Sequence, residues 1–345
     1  MASVFQSPAD WRGPTLPSED WIRPFRTEHA AEIAAALRSV EKRGLSLAEM
    51  RKDDFPILEF ARDLAAMRRE LQFGRGLQMY RGFPVRDYTK EQLRIIYWGL
   101  ALHLGMPLTQ SRHGDVIGDV RQLGTGLHEF AGRAYTSNEE LHFHCDPCDV
   151  VGLFCLRVAK HGGLTKAASL VAIHNEMART APDLLNELYT PFIYSWRNNQ
   201  PTGAAPDYEH PVFAIVDGRF VSKYSPSYIE WGYKMRNLEI PPAKKAALAM
   251  VNRLANDPAF HLERPFEPGD LQFMNNLTML HARTDFEDHE DPAEKRHLLR
   301  LWLAVPDSAR LPDSFGAFYG DVRAGAVRGG YPSAGPITFE TVHLN

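Results

Sequence analysis

Two short runs rich in β-branched and aromatic residues, Val212 to Val216 and Arg219 to Tyr224, flank the dipeptide Asp217-Gly218. A two-residue turn of this kind needs positive φ at both central positions, which Asp tolerates and Gly adopts freely, so the spacing predicts a tight antiparallel hairpin. The same texture continues through the chain after about residue 135, with strand-like segments at Leu271 to Phe273 and His297 to Val305 bounded by Gly, Pro, Asn and Asp. No regular strand–helix–strand rhythm and no Gly-rich phosphate loop accompany them, which disfavours a Rossmann-type parallel sheet. The expectation is a mainly β, α+β protein: an antiparallel sandwich or jelly roll carrying helices outside.

The first hundred residues read differently. Ala30, Ile33, Leu37 and Val40 recur at helical spacing between Thr27 and a Gly44 stop, and Phe60, Leu64, Met67 and Leu71 do the same. Thr89 to Gln92 fits a capping box opening a run through Ile95, Ile96 and Leu100 that ends at Gly105, and Ser46 to Glu49 fits the same pattern. A strand is expected at Leu77 to Gly82, and helical insertions at Val171 to Tyr189 and Pro242 to Asn256. Three parts follow: a mainly helical extension over 1–75 packed on the core, a core over 76–305 with helical insertions, and a Gly/Pro-rich tail over 306–345 that wraps the surface.

With 345 residues, 44% of them hydrophobic, the chain can bury a core without disulfides or structural metal. Lys+Arg number 39 against 43 Asp+Glu, a net charge of −4, so no positive field exists to hold nucleic acid. No long uncharged apolar stretch predicts a membrane span. Cys145, Cys148 and Cys155 are an odd set crowded together, unlike a secreted disulfide framework, so a reducing, cytoplasmic setting is expected.

The densest group of metal-capable side chains is Glu140-Leu141-His142-Phe143-His144-Cys145-Asp146-Pro147-Cys148. On a regular strand Glu140, His142, His144 and Asp146 share one face. A His-x-Asp pair places an imidazole and a carboxylate on adjacent corners of one metal, and a second His from a distant strand completes the 2-His-1-carboxylate facial triad of non-heme Fe(II) oxygenases. His281, ending the apolar run of Leu271-Gln272-Phe273-Met274-Asn275-Asn276-Leu277-Thr278-Met279-Leu280, is the candidate. Further on, Arg296, Leu298, Arg300 and Trp302 alternate onto one strand face, so two guanidinium groups point together and require anions, as a dicarboxylate would supply.

The segments FHCDPCDVVGLFCL, HGGLTKAASLVAIHNEM, PGDLQFMNNLTMLHART and RHLLRLWL together resemble the TauD/TfdA family of Fe(II)- and 2-oxoglutarate-dependent dioxygenases, in order and spacing, over about residues 75 to 305. The resemblance implies a double-stranded β-helix (jelly roll) core, iron held by His144, Asp146 and His281, and O2 and 2-oxoglutarate as cosubstrates. It implies Arg296 and Thr165 on the distal carboxylate of 2-oxoglutarate, with Arg300 as helper or substrate ligand. The substrate is then a small metabolite, anionic or zwitterionic, oxidised at an unactivated C–H bond by hydroxylation, desaturation or oxidative cyclisation, with release of succinate and CO2. Glu140 and His142 are candidates for the substrate pocket from their strand face, as is Asn276, which falls where the family has an Asn. Lys223-Tyr224, after the hairpin, could also reach the pocket, with Tyr224 as the candidate substrate ligand. A homo-oligomer is in keeping with the resemblance.

Other readings stay open on the residues. An iron oxidase of the same fold could draw its electrons from the substrate, a jelly-roll protein could bind metal without turnover, and a zinc hydrolase could use the same three ligands. Cys145 and Cys148 form a CxxC that could hold zinc or switch as a disulfide, although no second CxxC follows.

Overall fold

The strand His297–Ala304 (β17) is buried at every position, which requires a layer on each of its faces. Alternation sorts its residues: Leu299, Leu301 and Leu303 join one hydrophobic core, Leu298, Trp302 and Ala304 another. In this computed structural model, which describes residues 4–122 and 137–341, β17 sits within a seven-stranded sheet. Its order is β1 (Ile22–Pro24), β2 (Leu77–Arg81), β14 (Leu271–Asn275), β6 (Val150–Arg157), β17 and β3 (Met106–Pro107), with β4 (Gly118–Val120) also pairing β17. All neighbours are antiparallel except β1 and β2.

Helices cover one face of this sheet. Thr27–Arg43, Glu59–Phe73 and Lys90–Leu104 bury Ile33, Leu37, Phe60, Leu64, Ile96 and Leu100 against Phe154, Phe273 and Leu301. Their ends follow the expected signals. Gly44 ends the first with φ 63°, and Thr89 Oγ1 accepts from the Gln92 amide while the Gln92 side chain accepts from the Thr89 amide. Ser46 donates both its amide and its hydroxyl to Glu49 Oε2, which closes a turn rather than opening a helix.

The other face meets a four-stranded sheet, β13 (His261–Arg264), β8 (Thr165–Ser169), β15 (Met279–Arg283) and β5 (Leu141–His144) in that order. Met79, Val151 and Trp302 of the large sheet share a core with Phe143, Ala167 and Leu280 of the small one, completing the double-stranded β-helix. The hairpin forms as expected, β11 (Phe213–Val216) pairing β12 (Arg219–Ser222) with positive φ at Asp217 and Gly218. Two further antiparallel pairs are β9 (Pro191–Ser195) with β10 (Asp207–Pro211), and β7 (His161–Gly162) with β16 (Phe286–Glu287). The insertion expected over Val171–Tyr189 divides into Leu170–Thr180 and Pro182–Leu188, because Pro182 brings no N–H to continue the first helix and starts the second. No helix among the described residues is long and apolar enough to cross a membrane.

The stretch after Pro306 does more than wrap the surface. Arg328 Nε donates to Asp149 Oδ1 at 2.9 Å, and both side chains are fully buried. Asp149 Oδ2 accepts the Val305 amide, and the Arg328 guanidinium also donates to the carbonyls of Ala309 and Arg323. The amides of Gly330 and Tyr331 then bond the Pro147 and Thr109 carbonyls, so this segment lines the loop that follows β5. Because either partner alone would be an uncompensated buried charge, Arg328→Ala or Asp149→Ala is expected to cost about 3–5 kcal/mol, read from urea denaturation.

His103, His174 and His210 have pKa values lowered chiefly by burial. The folded chain therefore keeps them neutral where the unfolded chain takes up protons, near pH 6.5. More protons on the unfolded state means stability that is present above that pH and falls below it, by up to about 1.4 kcal/mol per pH unit for each group. The denaturation midpoint is expected to drop between pH 7.5 and 5.5; an unchanged midpoint would show that these imidazoles protonate in place.

Candidate metal centre

Register brings the distant histidines together. His281 on β15 pairs with His144 on β5, and their rings lie 4.3 Å apart between centroids. Asp146 follows β5, its backbone N–H donating to Asn276 Oδ1 at 3.0 Å while the Asn276 amide donates to Cys148 Sγ. Asp146 Oδ1 is 3.8 Å from His144 Nε2 and Oδ2 is 3.6 Å from His281 Nε2. One donor atom from each of these three residues lies within 4.8 Å of the others, the one such group among the described residues.

The protonation of the set suits a divalent cation. His144 Nδ1 is 2.8 Å from the His142 carbonyl, which can only accept, so Nδ1 carries the proton and Nε2 keeps its lone pair. Burial, then the neighbouring His281, lowers the His144 pKa to about 4. Burial would raise the Asp146 carboxyl, but Arg300, then His281 and His144, hold it well below the usual carboxylate range. Two imidazoles, one carboxylate and a buried His281 Nδ1 without a partner among the described residues fit the donor chemistry of non-heme iron. Trp302 Nε1 donates to Asp146 Oδ2 at 2.8 Å and fixes the carboxylate from the large sheet.

The two arginines separate by environment. Arg300 Nε donates to Gln110 Oε1 at 2.8 Å and its Nη1 is 3.7 Å from Asp146 Oδ2, so it belongs beside the carboxylate. Arg296 is buried, its guanidinium over Phe286, and its Nη1 has no partner among the described residues. Burial presses its pKa down to about 10, still charged at neutral pH. A Cβ on Gly163 would stand 3.4 Å from Arg296 Nε, and Gly163 holds φ 67°, so the Gly162-Gly163 pair leaves the guanidinium its space. Thr165 Oγ1 lies 3.5 Å from Gln272 Oε1, and Gln272 Nε2 is a second buried donor without a partner among the described residues.

Four residues expected in the substrate pocket make other contacts in the fold. A β-bulge sets Leu141 opposite Arg283 and His144 opposite His281, three residues against two, so the alternation slips and Glu140 and His142 leave the face of His144. Glu140 approaches Lys166 at 3.8 Å instead, and the His142 ring is exposed, contributing only its carbonyl. Asn276 holds the Asp146 loop, as above. The Tyr224 phenol donates to the Leu248 carbonyl, away from its neighbour Lys223. The three cysteines are buried thiols, with Cys145 pushed up to about 12 by burial and Cys148 well above its ordinary value, so the CxxC neither forms a disulfide nor presents a thiolate. Sequence reasoning missed Gln110 and gave Trp302 no role; its alternation with Arg300 was the available signal for the latter.

Comparison with known proteins bears on these observations. The family model for the taurine catabolism dioxygenase TauD, TfdA family matches residues 41–302. FR-33289 synthase of Streptomyces rubellomurinus is 31% identical over 313 residues, 90% of this chain and 92% of that protein. A taurine hydroxylase-like protein, SAT17, of Stachybotrys chartarum is 28% identical over 296 residues, 82% and 75% of the two chains. The fold is similar to that of an asparagine oxygenase solved with Fe(II), 2S,3S-3-hydroxyasparagine and succinate, at TM-score 0.64 and 17% identity over 82% of this chain and 93% of that one. It is also similar to the non-heme iron oxygenase OrfP in complex with Fe and alpha-ketoglutaric acid, at TM-score 0.58 and 14% identity over the same shares, 82% and 93%.

Since the Asn276 amide is what fixes the Asp146 backbone, Asn276→Ala is expected to weaken Fe(II) binding about 10- to 100-fold with all three donor side chains retained. Anaerobic titration of the metal-free variant with Fe(II) measures this, and wild-type affinity would remove Asn276 from the positioning of Asp146.

Proposed function

This chain belongs to the taurine catabolism dioxygenase TauD, TfdA family, and from that premise we propose that His144, Asp146 and His281 hold the iron while Arg296 and Thr165 take the distal carboxylate of 2-oxoglutarate. The protein is an Fe(II)- and 2-oxoglutarate-dependent oxygenase that uses O2 and acts on a small molecule. The observation that carries the residue assignment is the convergence of three donors, two imidazoles and an ionised carboxylate, inside the sandwich within 4.8 Å of one another. Bound there, iron and its cosubstrate supply an oxidant able to take hydrogen from an unactivated C–H bond, with succinate and CO2 released.

The chain's own residues do the placing. The His142 carbonyl and the Trp302 indole orient His144 and Asp146, and the bond from the Asp146 amide to Asn276 keeps the carboxylate in register with His281. Arg296 offers an unpartnered, buried N–H, with the Thr165 hydroxyl on β8 and the Gln272 amide on β14 as further polar groups for a carboxylate. Arg300, already engaged by Gln110, serves the Asp146 side and the substrate end. Two cations inside the sandwich favour a substrate that is anionic or zwitterionic, and the hydroxylated amino acids bound to asparagine oxygenase and OrfP are of the second kind. We assign residues 76–305 as the catalytic core, 1–75 as its helical extension and 306–345 as the tail. The three unlinked buried thiols favour a cytoplasmic setting.

The test is an anaerobic visible spectrum of metal-free protein titrated with Fe(II) and then 2-oxoglutarate. A charge-transfer band is expected in the wild type and lost in His281→Ala. In Arg296→Ala the band should form only at higher 2-oxoglutarate, a loss of about 2–5 kcal/mol in binding. Iron binding without a band would argue for an oxidase or hydrolase; an unchanged 2-oxoglutarate affinity in Arg296→Ala would move the carboxylate to another residue.

A further inference from the structure

Lys223 directly follows β12 and is only 2% exposed. Its ammonium faces three rings, with Nζ 4.4 Å from the centroid of Phe318, 5.4 Å from Tyr194 and 5.9 Å from Tyr228. Among the described residues no carboxylate pairs with it and no acceptor takes its three N–H groups. The ring faces attract the ammonium through cation–π contacts but carry no counter-charge. The rings accept no ordinary hydrogen bond, and the desolvation of an ammonium costs several kcal/mol. Burial accordingly presses its pKa down to about 8. The charge is thus housed without being neutralised.

This cage adjoins the metal centre. The Cys145 amide, between His144 and Asp146, donates to the Tyr224 carbonyl, and Ser225 Oγ donates to the Cys145 carbonyl, so the segment carrying Lys223 is strapped to the segment carrying two of the three donors. The charge of Asp146 acts on Lys223. An aromatic wall links the two: Phe318 meets Tyr331 at 6.0 Å, Tyr331 meets Trp302 at 5.8 Å, and Trp302 holds Asp146. Tyr208 and Tyr319 pack against the rings of the cage, and the charge of Lys223 reaches His210; Tyr208 Oη, Tyr319 Oη and His210 Nε2 are buried polar atoms without partners among the described residues. The His210 imidazole is lowered by burial and by the charge of Lys223, so it is a neutral neighbour rather than a second cation; its Nδ1 donates to the Pro211 carbonyl and its Nε2 keeps a lone pair. Its ring packs 3.8 Å from Phe315. Two unpartnered hydroxyl donors, Tyr208 and Tyr319, beside a cation with no counter-charge are what an anion-binding site looks like before its anion arrives.

We propose that Lys223, in its cage of Phe318, Tyr194 and Tyr228, binds the anionic head group of the substrate and sets the specificity of this oxygenase. The inference rests on the reading of the adjacent triad as the iron site and deepens it by naming which end of the substrate is recognised. It favours a net anion over a zwitterion. Glu140, the carboxylate expected to receive an ammonium group, stands on the other face with Lys166, and the cage offers no described carboxylate of its own. Carboxylate, sulfonate and phosphate monoester share the chemistry that Lys223 recognises: an oxyanion accepting charge-assisted hydrogen bonds.

The experiment is calorimetric titration of the anaerobic Fe(II)- and 2-oxoglutarate-loaded protein with butanoate, butanesulfonate and butyl phosphate, using 1-butanol as the neutral control. At least one anion is expected to bind and the alcohol not, with the preferred anion identifying the head group. Lys223→Gln should weaken that anion tenfold or more, Lys223→Arg should recover part of the loss, and both should keep the charge-transfer band of iron and 2-oxoglutarate. Lys223→Met, which retains the apolar stem, gives the same comparison if Lys223→Gln fails to fold, and a thermal melt shows which is sound. Equal binding of anion and alcohol, no binding of any anion, or wild-type affinity in the folded Lys223 variant would overturn the proposal while leaving the metal site standing. Absence of the band from the wild type would instead sink the reading of the triad, and the Lys223 assignment with it.

Discussion

Charge buried between two sheets is the constraint on which the rest of this structure turns. Asp146, Arg296, Arg300 and Lys223 are each at least nine-tenths buried, in a sandwich otherwise lined by rings and aliphatic chains. Sites of this kind are stable only when every charge meets a partner, and the positive charges among these four exceed the negative. A divalent cation beside Asp146 and the histidines adds to the positive side, a dicarboxylate on Arg296 subtracts from it, and an anion on Lys223 brings the interior closer to balance. Seen this way, the interior is arranged around molecules that the chain does not itself contain.

The architecture serves that arrangement by using both faces of one sheet. The helices of the first hundred residues take up Leu299, Leu301 and Leu303, which frees the alternate positions of β17, Arg300 and Trp302, to face inward. A strand with solvent on one side could not do this, because its polar positions would face water. The small sheet contributes the histidine pair and the large sheet Arg300 and the indole, while Arg296 stands just before β17 and Lys223 just after β12, so neither sheet alone holds a competent site.

Much of this was legible in the sequence where the signal is local. The Asp217-Gly218 hairpin and the helices at Thr27–Arg43 and Pro242–Asn256 followed from spacing and turn chemistry, because these depend on neighbours within a few residues. The pairing of His144 with His281 was legible only through the resemblance, since nothing local joins them. The bulge in β5 was invisible: one extra residue carries no compositional mark, yet it moved Glu140 and His142 off the face that strict alternation gave them. The orientation of the Lys223-Tyr224 pair was open for the same kind of reason, since at a strand end it is set by the segment packed against it. Gln110 and Tyr331 come from parts of the chain with no motif, and only the tertiary fold brings them to Arg300 and Trp302.

The buried pair of Asp149 and Arg328 joins residues 179 positions apart. During synthesis, which proceeds at about 5–20 residues per second, Asp149 leaves the ribosome many seconds before its only guanidinium partner among the described residues exists. Until then the loop after β5 holds an acid that cannot be buried, and Tyr331 is not yet present to line the wall beside Trp302. The chamber thus closes late, with the final strap of chain acting as the latch, and a partly made chain has no dry cavity in which an oxidant could form.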